Sequence, residues 1–239
     1  MLDTQFTSEE LTDDNFFIPD AENLITEDDT PVDNFASEKQ QRLLTTVLYN
    51  AKPQQTFIAS ANVGIYHTYN EPPIVPDVFL SLEVAIPENW WKKANRCYMM
   101  WQFGKSPEVV IEIVSNQVGG ELDSKLEIYQ RMRISYYVVY DPACQISDRS
   151  LRIFELRGRY YQETQNPWLE QVELGLTLWQ GTFENREDQW LRWCDQNNQV
   201  LPTGDELAQA AQIRVQEAEN RAEKLAAKLR DLGVNTDDI

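Results

Sequence analysis

Glu112 and Lys125 are the residues of this 239-residue chain whose types and surroundings most directly suggest chemistry. Glu112 interrupts an apolar, β-branched run, Val109-Val110-Ile111 before it and Ile113-Val114 after it. Such a run has the pattern of a strand buried on both faces. A carboxylate there has to be paired or metal-bound, because an isolated buried charge is strongly unfavourable. Lys125 lies three residues after Leu122 and four before Tyr129, so it shares the apolar stripe of the segment that follows. This pattern is compatible with a structural acid–base pair. It is equally compatible with a site shared by an acid from a strand and an ammonium from a helix. A third residue, Asp77, closes Pro72-Pro73-Ile74-Val75-Pro76-Asp77 just ahead of a period-two strand, Val78 to Val84. Alone it reads as an ordinary acid at a strand start. Its weight comes from Glu112 and Lys125.

These residues need a frame that brings them together. After the Glu112 strand, Gly119-Gly120 breaks the chain and Leu122, Leu126 and Tyr129 give a helix its inward stripe. Ser135 to Tyr140, closed by Asp141-Pro142, forms the next strand. Strand, helix and strand at this spacing predict a crossover unit with two parallel strands. Upstream, Leu43, Leu44, Val47 and Leu48 predict a helix from Glu38 to Asn50, with Ser37 and Gln40 resembling a capping box. Thr56 to His67 reads as one or two strands, with Gly64 at a bulge or bend. Asn89 to Lys105 mixes Trp90, Trp91 and Trp101 with Lys92, Lys93 and Arg96. Rings and bases of this kind can contact nucleic acid, but the preferred reading is a partly buried hairpin with an exposed basic turn. Leu151 to Leu156 and Tyr160-Tyr161 predict a hairpin around Arg157-Gly158-Arg159. Leu174 to Trp179 reads as a strand or loop, and Trp190 to Asp195 as a short helix with both tryptophans inward. From Asp205 to Leu232 an Ala-, Glu- and Arg-rich segment predicts a long helix. Its narrow leucine stripe suits a coiled coil and association with a second copy of the chain.

Composition narrows the classes. The net charge is −18, and the first 38 residues carry −12 of it with no Lys or Arg. Residues 1–35 therefore read as an acidic, mostly disordered leader, which Phe16, Phe17 and Ile18 could pin to the domain surface. A core domain over 36–200 and the tail helix over 203–232 complete the expected organisation. Between Trp90 and Arg133 seven bases face five acids, so the centre is slightly basic in an acidic protein. No apolar run is long enough to span a membrane, and no signal pattern opens the chain, which predicts a cytoplasmic protein. Cys97, Cys144 and Cys194 are too far apart for a metal cluster and read as free thiols, while His67 is a lone histidine at a strand end.

The ordered set IVPDVFLSL, VVIEIVS, GGELDSKLEIYQ and SYYVVYDP resembles the Uma-type family of restriction-endonuclease-like proteins, within the PD-(D/E)xK nuclease superfamily. The resemblance covers roughly Glu38 to Trp193. It implies an α/β fold, a restriction-endonuclease-like mixed central sheet flanked by helices, here with an extended C-terminal helix. It also implies that Asp77 and Glu112 hold a divalent metal, Mg²⁺ or Mn²⁺, and that the substrate is DNA. The superfamily places a lysine two residues after the second acid, a position occupied here by Val114. The resemblance suggests Lys125 as its replacement, and it matches Glu38 to a helix-borne acid found in many such nucleases. Two functions stay open. One is a metal-dependent endonuclease. The other is a non-cleaving nuclease-like fold that binds partners, which the acidic net charge favours because polyanion binding normally needs a basic face.

Overall fold

The computed structural model of the chain describes residues 34–116 and 120–232. Residues 1–33 of the leader expected over 1–35, including the Phe16-Phe17-Ile18 stretch expected to pin it, lie outside the described residues, as does Gly119 of the Gly-Gly break.

The first helix, α1 (Phe35–Ala51), starts because Asn34 Oδ1 accepts the Ala36 and Ser37 N–H groups, each at 2.9 Å. Ser37, expected as the cap, is instead buried inside the first turn. Strands β1 (Phe57–Ala61) and β2 (Ile65–Tyr66) follow. They are separated at Asn62, whose φ of 54° turns the chain. The bend expected at Gly64 therefore sits two residues earlier. Gly64 serves close packing, since a Cβ there would come within 3.2 Å of Pro73.

Strand β3 (Val78–Leu82) leads to β4 (Tyr98–Met99), the short helix α2 (Met100–Phe103) and β5 (Val109–Ile113). The hairpin expected over 89–105 is absent. A 3₁₀ turn at Lys93–Asn95 precedes β4, which pairs in parallel with β2 and not with a strand of its own segment. Helix α3 (Ser124–Arg131) crosses over to β6 (Tyr136–Tyr140), and β5 and β6 are parallel as expected. The hairpin β7 (Leu151–Arg157) and β8 (Tyr160–Thr164) turns at Gly158 with φ +65°. Then come β9 (Trp168–Leu169), β10 (Leu174–Phe183) and β11 (Arg186–Cys194). The helix expected at Trp190 to Asp195 is thus the end of a strand. From Trp190 on, β11 is buried on both faces, so the three-residue spacing puts Trp193 on the main core and Trp190 against Leu43 and Val47 of α1. Last comes α4 (Gly204–Asp231), whose Thr203–Glu206 capping box sets its start.

The main sheet runs β1-β3-β5-β6-β7-β8 and is mixed, with the β5–β6 pair parallel and the others antiparallel. One face is covered by α1 and the antiparallel sheet β11-β10-β9, through Leu44, Leu48, Ile111, Val138, Leu191 and Trp193. Gln40 fastens α1 to that second sheet, donating to the Leu191 carbonyl at 2.8 Å and accepting its N–H at 3.0 Å. The other face carries Ile58, Phe79, Val110, Tyr137 and Phe154, with Tyr129 and Met132 over them. Glu112 alternates with Val110 and Val114 and so belongs to this second face.

Candidate active site

Three elements meet at Glu112. The antiparallel register pairs Val78 with Ile111, so one further step sets Asp77 opposite Glu112. Residues directly opposite have Cβ atoms about 4.5–5.5 Å apart, and two carboxylates there repel. The α3 crossover then lays Lys125 and Tyr129, one helical turn apart, over the same point. Glu112 is only 2% exposed. Its Oε2 accepts from Lys125 Nζ at 2.8 Å and its Oε1 from the Tyr129 hydroxyl at 2.6 Å. Asp77 is half-buried, and its Oδ2 accepts the Ile113 N–H at 2.6 Å. That bond replaces the next rung of the strand ladder and fixes the carboxylate beside β5.

The expected trio of Asp77, Glu112 and Lys125 is therefore brought together. Glu38 is not. Its exposed carboxylate lies 3.0 Å from Arg42, which also reaches Glu184 at 2.8 Å. One turn further along α1, Gln41 is the residue that reaches the cluster, donating to Asp77 Oδ1 at 2.9 Å. Asn62 in turn donates to Gln41 Oε1 at 3.0 Å. Glu121 joins as a third acid, its Oε1 3.3 Å from Lys125 Nζ, while its Oε2 is buried without a hydrogen-bond partner. Sequence reasoning passed over Glu121, although a position four residues before Lys125 on the approach to a helix is a readable signal. It also counted Tyr129 only as an apolar stripe residue, missing what its hydroxyl reaches. Gln41 and Asn62 left no signal.

The electrostatics follow from burial. Desolvation pushes the Glu112 carboxyl up to about 8, against the downward pull of the Lys125 ammonium, and Asp77 raises it further. For Lys125, burial favours the neutral amine, but the Glu112, Glu121 and Asp77 carboxylates outweigh it and hold the ammonium above its usual range. Burial, then the Glu112 carboxylate, drives the Tyr129 hydroxyl well above the ordinary phenol value, so it stays a donor. The cluster holds three carboxyl groups and one ammonium.

The donors are all carboxylate oxygens, the set a hard divalent cation prefers, and one of them, Glu121 Oε2, is buried without a hydrogen-bond donor. Among the described residues no group of three or more acids, histidines or cysteines is gathered closely enough to hold an ion. Two carboxylates, Asp77 and Glu112, are nevertheless sufficient for an ion of the Mg²⁺ type, which keeps several of its waters.

A mixed central sheet flanked by helices is a restriction-endonuclease-like architecture. The chain belongs to the Uma2 family, described as "Putative restriction endonuclease", whose model matches residues 24–184. Among solved structures it is similar to a crystal structure described as "a putative nuclease belonging to DUF820" from Anabaena variabilis. The two share 17% identity with a TM-score of 0.41, over 58% of this chain and 72% of that one. A search of curated proteins gave no match. Among the described residues no helix is long and apolar enough to cross a membrane.

Proposed function

We propose that the protein is a metal-dependent endonuclease that hydrolyses DNA phosphodiester bonds at the Asp77–Glu112–Lys125 cluster. The observation that carries this reading is the charge imbalance. Glu112 and Glu121 both contact the one Lys125 ammonium, and Asp77 stands in register beside Glu112. A structural pair would match one acid to one base, whereas an excess of carboxylate suits a divalent cation. Asp77 and Glu112 are the proposed ligands for Mg²⁺ or Mn²⁺. Bound there, such an ion supplies Lewis-acid polarisation of a phosphodiester and lowers the pKa of a water.

The chain's own groups do the rest. Lys125 keeps its proton beside three acids and offsets the charge that develops on a phosphate brought to the cluster. Tyr129 holds Glu112 Oε1, and Gln41, itself held by Asn62, orients Asp77. Family membership supports the class of reaction. The test is cleavage of supercoiled plasmid and of single-stranded circular DNA in Mg²⁺, in Mn²⁺ and in EDTA. Cutting with either metal, lost in EDTA and in Lys125→Ala, is the expected result. Intact DNA under every condition contradicts it.

A second reading, a binding module, is favoured by α4. Leu207, Ile213, Val215 and Leu225 are exposed along it, and no described residue of the helix is buried. The occupant this reading assigns to the exposed helix is the same helix of a second chain.

A further inference from the structure

Beside the acid cluster, on the same face of the main sheet, lies an open apolar cavity of about 500 Å³. Its floor is Ile58 and Ser60 of β1 and Phe79 of β3, and one wall is the stacked pair Tyr98–Phe103, with ring centroids 4.3 Å apart. Phe79 pairs with Val110, which makes it the diagonal neighbour of Glu112, about 7–8 Å away across the β3–β5 pair. Trp90 and Trp91 form the rim, 54% and 80% exposed, with ring centroids 6.2 Å apart and planes at 77°. Exposed tryptophans at a cavity mouth are poorly explained by folding, because folding alone would bury them.

The rim is also hydrogen-bonded within itself and basic. Asn95 donates from its side chain to the Asn89 carbonyl at 2.9 Å, and the Lys92 N–H donates to the same carbonyl at 3.0 Å. Arg96 Nε clips the Trp91 carbonyl at 3.1 Å. From Asn89 to Arg96 the chain carries Lys92, Lys93 and Arg96 and no acid, in a protein of net charge −18. An apolar, ring-walled cavity with Arg96 in its lining, and Lys92 and Lys93 beside its tryptophans in the chain, complements one ligand chemistry well: a flat aromatic ring attached to a phosphate.

We propose that this cavity takes one unpaired nucleobase of the DNA, stacked against the tryptophan rim, with its phosphate facing Lys92, Lys93 and Arg96. The proposal rests on the nuclease reading of the neighbouring cluster. It makes single-stranded or locally unpaired DNA the preferred substrate, since a paired base is held in its stack and a cavity of this size does not admit a duplex. Sequence preference at the base is weak, because stacking depends on a π-face that every base has.

The test uses the full chain in EDTA, where no metal-dependent cutting occurs, and three labelled DNAs. One is a short duplex, the second is that duplex with one unpaired adenine, and the third has an abasic residue in the adenine's place. The expected result is about tenfold tighter binding of the unpaired adenine than of the abasic DNA. Trp91→Ala should erase that preference while leaving duplex binding and the melting curve unchanged, as its side chain is exposed. Equal binding of adenine and abasic DNA by the wild type overturns the proposal, and so does a preference that survives Trp91→Ala together with Trp90→Ala. If these substitutions change the sedimentation coefficient and not DNA binding, the cavity is covered by a second copy and the proposal fails. A wild type that cuts DNA in Mg²⁺ or Mn²⁺ but shows no preference for the unpaired adenine sinks the cavity alone. Base preference without cleavage in Mg²⁺ or Mn²⁺ supports the cavity and contradicts the nuclease reading alone.

Discussion

Two ion pairs of this protein each have one buried partner, and they differ in how completely they are answered. Arg192 is 2% exposed and forms two contacts with Glu206, at 2.7 and 2.8 Å. A third donation goes to the Leu201 carbonyl at 2.6 Å, and the guanidinium lies 4.6 Å from the centroid of the Trp179 ring, leaving only Nε without a partner. Glu206 meanwhile closes the capping box of α4. One base meets one acid, and the pair ties a helix to a sheet. At the other site the single Lys125 ammonium serves both Glu112 and Glu121, with Asp77 opposite Glu112, and a buried oxygen stays unpaired. A pair kept for folding is matched in charge, one base to one acid. An unbalanced one is better explained by a ligand that completes it.

Substitutions at the two pairs should diverge in kind. At the cluster, Lys125→Ala should lower cleavage by about a hundredfold or more, while metal affinity stays largely unchanged. Lys125→Arg should restore little, because a planar fork does not replace a compact point charge. Equal cutting by wild type and Lys125→Ala would reduce Lys125 to a packing residue. At the other pair, Glu206→Ala leaves the buried Arg192 guanidinium without its acid and should destabilise by about 3–5 kcal/mol, read as a shifted denaturant midpoint, with activity of the folded fraction preserved. A small shift there would mean that the balanced pair is not what holds α4.

The two acids should also respond to pH with opposite signs. Glu112 has a raised folded value of about 8 against the ordinary 4.5, so the folded state binds the extra proton and stability falls as pH rises through that window. The slope is at most about 1.4 kcal/mol per pH unit for one proton. Glu112→Gln should flatten it, so the melting temperatures of variant and wild type draw apart in the variant's favour between pH 5 and 8, as read by calorimetry with each pH change of about one unit. Glu206 is held low, chiefly by its hydrogen bond from Arg192, so its contribution is present above the ordinary carboxylate value and is lost as pH falls below it. Glu206→Gln should therefore matter at neutral pH and little in acid. Parallel curves for the two variants would erase the distinction.

The smallest effect concerns the tail. A chain ending after Gln212 keeps the Arg192–Glu206 pair and should melt like the full chain while losing self-association in light scattering. A chain ending at Thr203 removes Glu206 and should melt lower, in line with an unpaired Arg192. An unchanged mass after either cut would leave α4 with no association role.

The parts legible in the sequence were those with a strong period or punctuation. The Glu112 strand, the α3 stripe that carries Lys125 and the β7–β8 turn at Gly158 all fall where local pattern predicts them. Two other segments were set by tertiary partners. Trp190 and Trp193 mimic a helical spacing because β11 is packed on both faces, and Asn89 to Lys105 finds its strand partner in β2, far away in sequence. At the site, Asp77 and Glu112 were identifiable as candidates, but their register and the Gln41–Asn62 support depend on α1 docking across β1 and β3. Glu38 illustrates the limit. A helix-borne acid was expected to approach the cluster, yet the rotation of α1 turns Gln41 inward and leaves Glu38 with Arg42.

The most direct measurement is a calorimetric titration of Mn²⁺ into the wild type and into Glu112→Gln at pH 8, without DNA. The unbalanced cluster predicts one ion per wild-type chain and at least about tenfold weaker binding by the variant. Equal binding by the two proteins, or no binding by either, would contradict the claim that Asp77 and Glu112 form a metal-dependent active site.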